Sequence, residues 1–119
     1  MDPLYREIIL EHWQNPQNFG VIKNADIDVQ EVNPLCGDSI RLTIKIEKGK
    51  IKKILFSGEG CAISRASASL FTEEIKGESI DFVKKINEQD VLDLLGIELT
   101  PARTKCALLI FNTVKKAIK

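Results

Sequence analysis

Cys36, Cys61 and Cys106 are the only cysteines of a 119-residue chain that has a single histidine, His12. Each stands in a distinct setting: Asn33-Pro34-Leu35-Cys36-Gly37-Asp38, Gly58-Glu59-Gly60-Cys61-Ala62-Ile63-Ser64 and Arg103-Thr104-Lys105-Cys106. Thiolates bind zinc and iron–sulfur clusters. Three of them with the Asp38 carboxylate would make one metal or iron–sulfur site. The separations, 25 and 45 residues, are too wide for a local zinc knuckle. The fold itself has to bring the thiols together.

Each cysteine also has a plainer reading. Cys36 lies in a turn between two strands, where Pro34 fixes one dihedral and Gly37 permits close backbone approach. It could be incidental to that turn. Cys61 follows Gly58-x-Gly60 and opens a helix, where backbone amides and the helix dipole favour a thiolate. It could equally be a small residue at a strand-to-helix corner. Cys106 comes early in the last helix, after Arg103 and Lys105, whose charges also favour a thiolate. It could instead be core, since cysteine is among the most buried residue types. Taken together, the settings weaken the plain readings, because all three lie at element ends beside glycine, carboxylate or cations, but spacing and context alone leave a shared site and the plain readings evenly balanced.

His12 falls mid-helix and reads as a surface or partly packed residue, not a ligand. With no second histidine, no nucleophile–base–acid triad is legible. Gly58-x-Gly60 lacks the Lys-Ser/Thr of a phosphate loop.

The elements that must position these residues follow from periodicity. Leu4, Ile8, Ile9 and Trp13 mark a helix over 3–14, stopped by Asn15-Pro16. Residues 25–33 alternate weakly as an edge strand. Ile40, Leu42, Ile44 and Ile46 mark a stronger strand over 39–47, with Arg41, Thr43, Lys45 and Glu47 on its wet face. Lys48-Gly49-Lys50 turns the chain into a third strand, 51–57. The period then becomes helical from Ala62 to Ile75, with many small residues for close packing. A short helix runs from Ser79 to Ile86. Another spans Val91–Leu95, with Asn87 and Asp90 as its cap. Thr100-Pro101 starts the last helix. The order implies an α+β fold: a three-stranded antiparallel sheet with helices packed on one face. Residues 1–119 read as a single domain.

Composition narrows the function. Charges balance at 17 against 17, which argues against a nucleic-acid partner. No apolar run reaches membrane-span length, and the N-terminus lacks a signal-peptide pattern, so a cytoplasmic protein is expected. In a reducing compartment cysteines more often serve metals or chemistry than structural disulfides.

The motifs Asn-Pro-x-Cys-Gly-Asp at 33–38, Gly-x-Gly-Cys-Ala-Ile-Ser at 58–64 and Arg-x-Lys-Cys at 103–106 resemble the IscU/SufU/NifU N-terminal family. The opening Tyr5…Ile8…His12…Asn15-Pro16…Asn18…Gly20 is similar to its first helix and loop, so the resemblance spans the chain. It implies a scaffold, not an enzyme in the strict sense, on which iron–sulfur clusters are assembled. Its partners would be a cysteine desulfurase, which supplies persulfide sulfur, and apo-proteins that receive the cluster. A homodimer bridged by the cluster is one arrangement it allows. The implied ligands are Cys36, Asp38, Cys61 and Cys106, carrying a two-iron two-sulfur cluster, or zinc as isolated. Cys106 is the implied sulfur acceptor, with Lys105 beside it.

The chain mixes two branches of that family. The residue before the third cysteine is usually histidine in IscU proteins, whereas Lys105 resembles SufU. SufU proteins usually carry an insertion between the second and third cysteines, and the spacing here leaves no room for one. A protonated lysine has no lone pair to ligate a metal, but it can hold a thiolate or persulfide by charge. The chaperone-read segment Leu-Pro-Pro-Val-Lys of IscU is only partly kept in Leu99-Thr100-Pro101-Ala102-Arg103. The alternative is therefore a zinc-dependent sulfur acceptor with a transferase-like role. The plainest reading is a small zinc-stabilised interaction module.

Overall fold

A computed structural model describes residues 3–34 and 37–118. Helix α1 spans Pro3–Gln14, and strands β1 (Ile27–Asn33), β2 (Asp38–Glu47) and β3 (Lys50–Ser57) follow. Then come α2 (Ala62–Ile75), α3 (Ile80–Lys84), α4 (Glu88–Leu95) and α5 (Pro101–Ala117). The strands form one antiparallel sheet in the order β1-β2-β3, with β1 at an edge. The α+β architecture expected from the periodicity is the one observed.

The apolar face of β2 and β3 presents Ile40, Leu42, Ile44, Ile51, Ile54 and Phe56 to the helices. A register shift between Lys45 and Ile46 keeps both Ile51 and Ile54 on that inward face. Phe71 and Ile75 of α2, Val83 of α3, Val91 of α4 and Ile110 and Val114 of α5 close the core over it. Each such side chain contributes about 1.5–3 kcal/mol by leaving water.

Helix ends match their sequence signals. Ser79 and Thr100 cap α3 and α5, and Pro101 stands in the first turn of α5. Asn87 and Asp90 form a reciprocal capping box. That box starts α4 at Glu88, a turn earlier than the apolar pattern alone suggests.

Two features depart from the sequence reading. The α1 stripe is mostly exposed: Leu4 is 61% and Trp13 40% accessible, and only Ile9 is buried. The cause is that α1 lies outside the main core, where Ile9 joins a satellite cluster with Ala66, Leu95 and Ala107. The outer sheet face is also drier than its alternation suggests. Thr43 is fully buried there, because the segment after α1 crosses it and the Ile22 N–H donates to Thr43 Oγ1 at 3.0 Å.

Candidate metal centre

The site forms where the N-termini of α2 and α5 meet the start of β2. Cys61 is the N-cap of α2, in extended conformation, and its Sγ accepts from the Ser64 N–H at 3.5 Å. The strand-to-helix corner is tight enough to require its glycines. Gly58 has φ +133°, and a Cβ there would overlap the Ser39 carbonyl oxygen of the neighbouring strand. A Cβ on Gly60 would overlap Ser64 Oγ and lie 3.3 Å from Asp38 Oδ1. The corner is pinned to β2 by the Ser39 N–H, which donates to the Glu59 carbonyl at 2.7 Å.

Cys106 comes one turn into α5 and is fully buried. Its helix is held against α2 by the Ser67 hydroxyl, which donates to the Ala107 carbonyl at 2.6 Å. Ala66 and Ala107, both fully buried, let the two helices approach closely. The small residues read from the sequence as a packing device thus serve to bring Cys61 and Cys106 together.

Asp38 opens β2 and is only 2% accessible. Its Oδ1 accepts from the Cys61 N–H at 3.0 Å, and its Oδ2 lies 4.0 Å from Cys61 Sγ. One carboxylate oxygen and the sulfurs of Cys61 and Cys106 all lie within 4.8 Å of one another. Of the four residues expected at the centre, these three come together, and Cys36 lies outside the described residues. Lys105 is exposed beside Cys106, and His12 stands elsewhere, its Nδ1 2.6 Å from Ser69 Oγ on α2.

The donor set suits zinc. A zinc tetrahedron with ligand distances of about 2.0–2.3 Å has edges of about 3.3–3.8 Å. Three donors within 4.8 Å are therefore close to that geometry before any metal draws them in. Burial pushes the Cys61 thiol up, and hydrogen bonds from the Ser64 N–H and hydroxyl and the Ile63 N–H oppose it. The Asp38 carboxylate also pushes upward, yet the net position is below the ordinary thiol value. A poised thiolate is what both metal binding and sulfur chemistry need.

Two contributors escape sequence reasoning. Asn33 is buried at the end of β1 and directs its Nδ2 at Cys106 Sγ, 3.9 Å away. Ser64 lies 3.9 Å from Cys61 Sγ and donates its hydroxyl to the Cys61 carbonyl at 3.2 Å. Ser64 was findable, since N3 is where an N-cap meets its helix. The role of Asn33 depends on a contact 73 residues away in sequence, and no local signal announces it.

Comparison with known proteins agrees with this architecture. The family described as NifU-like N terminal domain matches residues 4–119. The chain is 38% identical to the zinc-dependent sulfurtransferase SufU of Bacillus subtilis, over 99% of this chain and 91% of the relative. That alignment runs over 135 positions, so the relative carries residues this chain lacks. It is 36% identical to the iron-sulfur cluster assembly scaffold protein IscU of Escherichia coli K12, over 96% of this chain and 91% of the relative. Among solved structures, a putative iron-sulfur cluster assembly scaffold protein for the SUF system from Fervidobacterium islandicum superposes with a TM-score of 0.80. It is 27% identical and covers 95% of both chains.

Proposed function

Since this chain belongs to the NifU-like N-terminal domain family, we propose that it is a scaffold for iron–sulfur cluster assembly. It accepts sulfur from a cysteine desulfurase, builds a labile cluster on Cys36, Asp38, Cys61 and Cys106, and passes it to apo-proteins. The observation that carries this reading is the convergence of Asp38, Cys61 and Cys106 within 4.8 Å from three separate elements. The cluster is cargo, so its ligands must hold it and let it go. Three thiolates with one carboxylate bind iron less firmly than four thiolates would. The two-iron two-sulfur form fits four protein ligands. Zinc, when bound at the same donors, supplies charge that keeps the thiols deprotonated.

The chain's own residues prepare the site. The Asp38 carboxylate orients the Cys61 backbone through its N–H, and Ser64 steadies Cys61 Sγ. Lys105 adds an exposed positive charge next to Cys106 in the chain, able to hold an incoming persulfide. Cys106 is the candidate acceptor. Its full burial means that the site must open for sulfur to reach it. The reaction belongs in the cytoplasm, where reduced thiols persist. Among the described residues, no helix is long and apolar enough to cross a membrane.

A second reading is favoured by Lys105 standing where IscU proteins place histidine, and by the name of the B. subtilis relative. In it the protein is a zinc-dependent sulfur acceptor, a sulfurtransferase partner of the desulfurase. Anaerobic incubation with iron, cysteine and a desulfurase separates the two. A coloured protein with charge-transfer bands supports the scaffold. A colourless, zinc-retaining protein that still accelerates the desulfurase supports the sulfurtransferase. Inertness toward both would sink both.

A further inference from the structure

We propose that Asn33 positions a ligand of the metal centre, its side-chain amide donating to the Cys106 sulfur when that sulfur is anionic. In β1 the period of two puts Ile27, Val29, Glu31 and Asn33 on one face, while Asp28, Gln30 and Val32 face solvent. Ile27 and Val29 pack against the main core. At Asn33, the most buried position of the strand, an amide stands where a core-facing apolar side chain would otherwise pack. A buried polar group costs free energy unless it is hydrogen-bonded, so its partner is informative. Asn33 Nδ2 lies 3.9 Å from Cys106 Sγ, across 73 residues of sequence.

The backbone on both sides fixes the place of that amide. Pro34 biases the residue before it toward extended conformation. The Asn33 carbonyl accepts the Gly37 N–H at 3.0 Å, and Asn33 is the register partner of Asp38 on β2. Glu31, two residues back on the same face, pairs with Lys116 of α5 at 2.6 Å, which ties β1 to α5 at a second point. Asn33 thus links the return from β1 to β2, where Asp38 stands, to the helix that carries Cys106.

Sulfur chemistry decides when the contact counts. A neutral thiol is a weak acceptor. A metal-bound thiolate is anionic, and charge-assisted hydrogen bonds are shorter and about twice as strong as neutral ones. At 3.9 Å the contact is long, and the closer approach belongs to the charged sulfur. The amide therefore favours the metal-bound form of Cys106 over its free thiol. Groups that stand behind a ligand in this way typically change metal affinity by about 10–100-fold. This role rests on the reading of Asp38, Cys61 and Cys106 as a metal centre.

Cadmium substitutes for zinc at thiolate sites, and its magnetic isotope allows a direct test. Proton–cadmium correlation on the cadmium-loaded wild type should show a cross-peak from the Asn33 side-chain amide, transmitted through the Cys106 sulfur. Asn33→Leu, which keeps the volume and loses the donor, should lack it. That variant should also bind zinc about 10–100-fold more weakly in chelator competition, with the melting temperature of the metal-free protein as the check on folding. Cadmium held by the cysteine sulfurs with no amide cross-peak overturns the role of Asn33 and leaves the metal centre standing. Equal zinc affinity in wild type and variant overturns it as well. A protein that binds no cadmium would sink the metal-centre reading, and this role with it. Should Asn33→Leu fail to fold, the wild-type spectrum decides alone.

Discussion

The Asp38 carboxylate accepts the Cys61 backbone N–H at 3.0 Å, across 23 residues of sequence, while its second oxygen lies 4.0 Å from the Cys61 sulfur. One side chain thereby sets the position of a thiol and stands beside it as a hard oxygen donor. On the scaffold reading proposed above, positioning and lability would come from the same group.

Asp38→Ala separates those two roles. Losing the acceptor for a partly buried N–H should destabilise the metal-free protein by about 1–3 kcal/mol. Losing the oxygen donor should lengthen the lifetime of an assembled cluster and slow its transfer to an apo-acceptor. Thermal melting reads the first effect, and decay of the visible chromophore with and without acceptor reads the second. An unchanged lifetime and transfer rate would refute the lability role.

Gly58→Ala probes the corner that carries Cys61. With φ at +133° and the Ser39 carbonyl in the way, the substitution should cost more than about 1 kcal/mol. Zinc affinity should fall with it, because the strain sits three residues from a ligand. A chelator-competition titration beside a melting curve checks both.

Lys105→Ala should leave stability unchanged, since the side chain is exposed. An exposed charge pair is worth up to about 1 kcal/mol, so sulfur acceptance should slow by about threefold to fivefold. Single-turnover persulfide transfer from a desulfurase is the measurement. A lysine with no part in holding sulfur would give an unchanged rate.

Acid should loosen the loop after α1. The Asn18 side-chain N–H donates to Glu73 and, with Lys76 and His12 nearby, holds that carboxyl below its ordinary value despite some burial. A carboxylate depressed in the folded state adds stability above its unfolded pKa of about 4.3 and loses it as pH falls through the folded value. Glu73→Gln should therefore lower the melting temperature near neutrality. The difference from wild type should shrink as pH falls below the unfolded value and vanish once it has fallen through the depressed folded value.

Much of this was legible in the chain because its signals are local. The change from period two to helical spacing at Ala62, the glycines before Cys61 and the Thr100-Pro101 start of α5 each report on their own neighbourhood. Three thiols at element ends could therefore be placed at corners before any contact was known. What stayed hidden depends on tertiary neighbours. Leu4 and Trp13 repeat like core residues, yet both stay largely exposed, while Ile9 between them is buried against Ala66, Leu95 and Ala107. The burial of Cys106 was weighed as an alternative to a site role, and the structure shows a buried cysteine within the site.

The most direct test of the scaffold is iron and acid-labile sulfide analysis after anaerobic assembly, run on wild type, Cys61→Ser and Cys106→Ser. The account predicts equal iron and sulfide with charge-transfer bands in the wild type, and loss of both in either variant. A wild type that takes up neither iron nor sulfide, or a Cys106→Ser protein that assembles a full cluster, would contradict it.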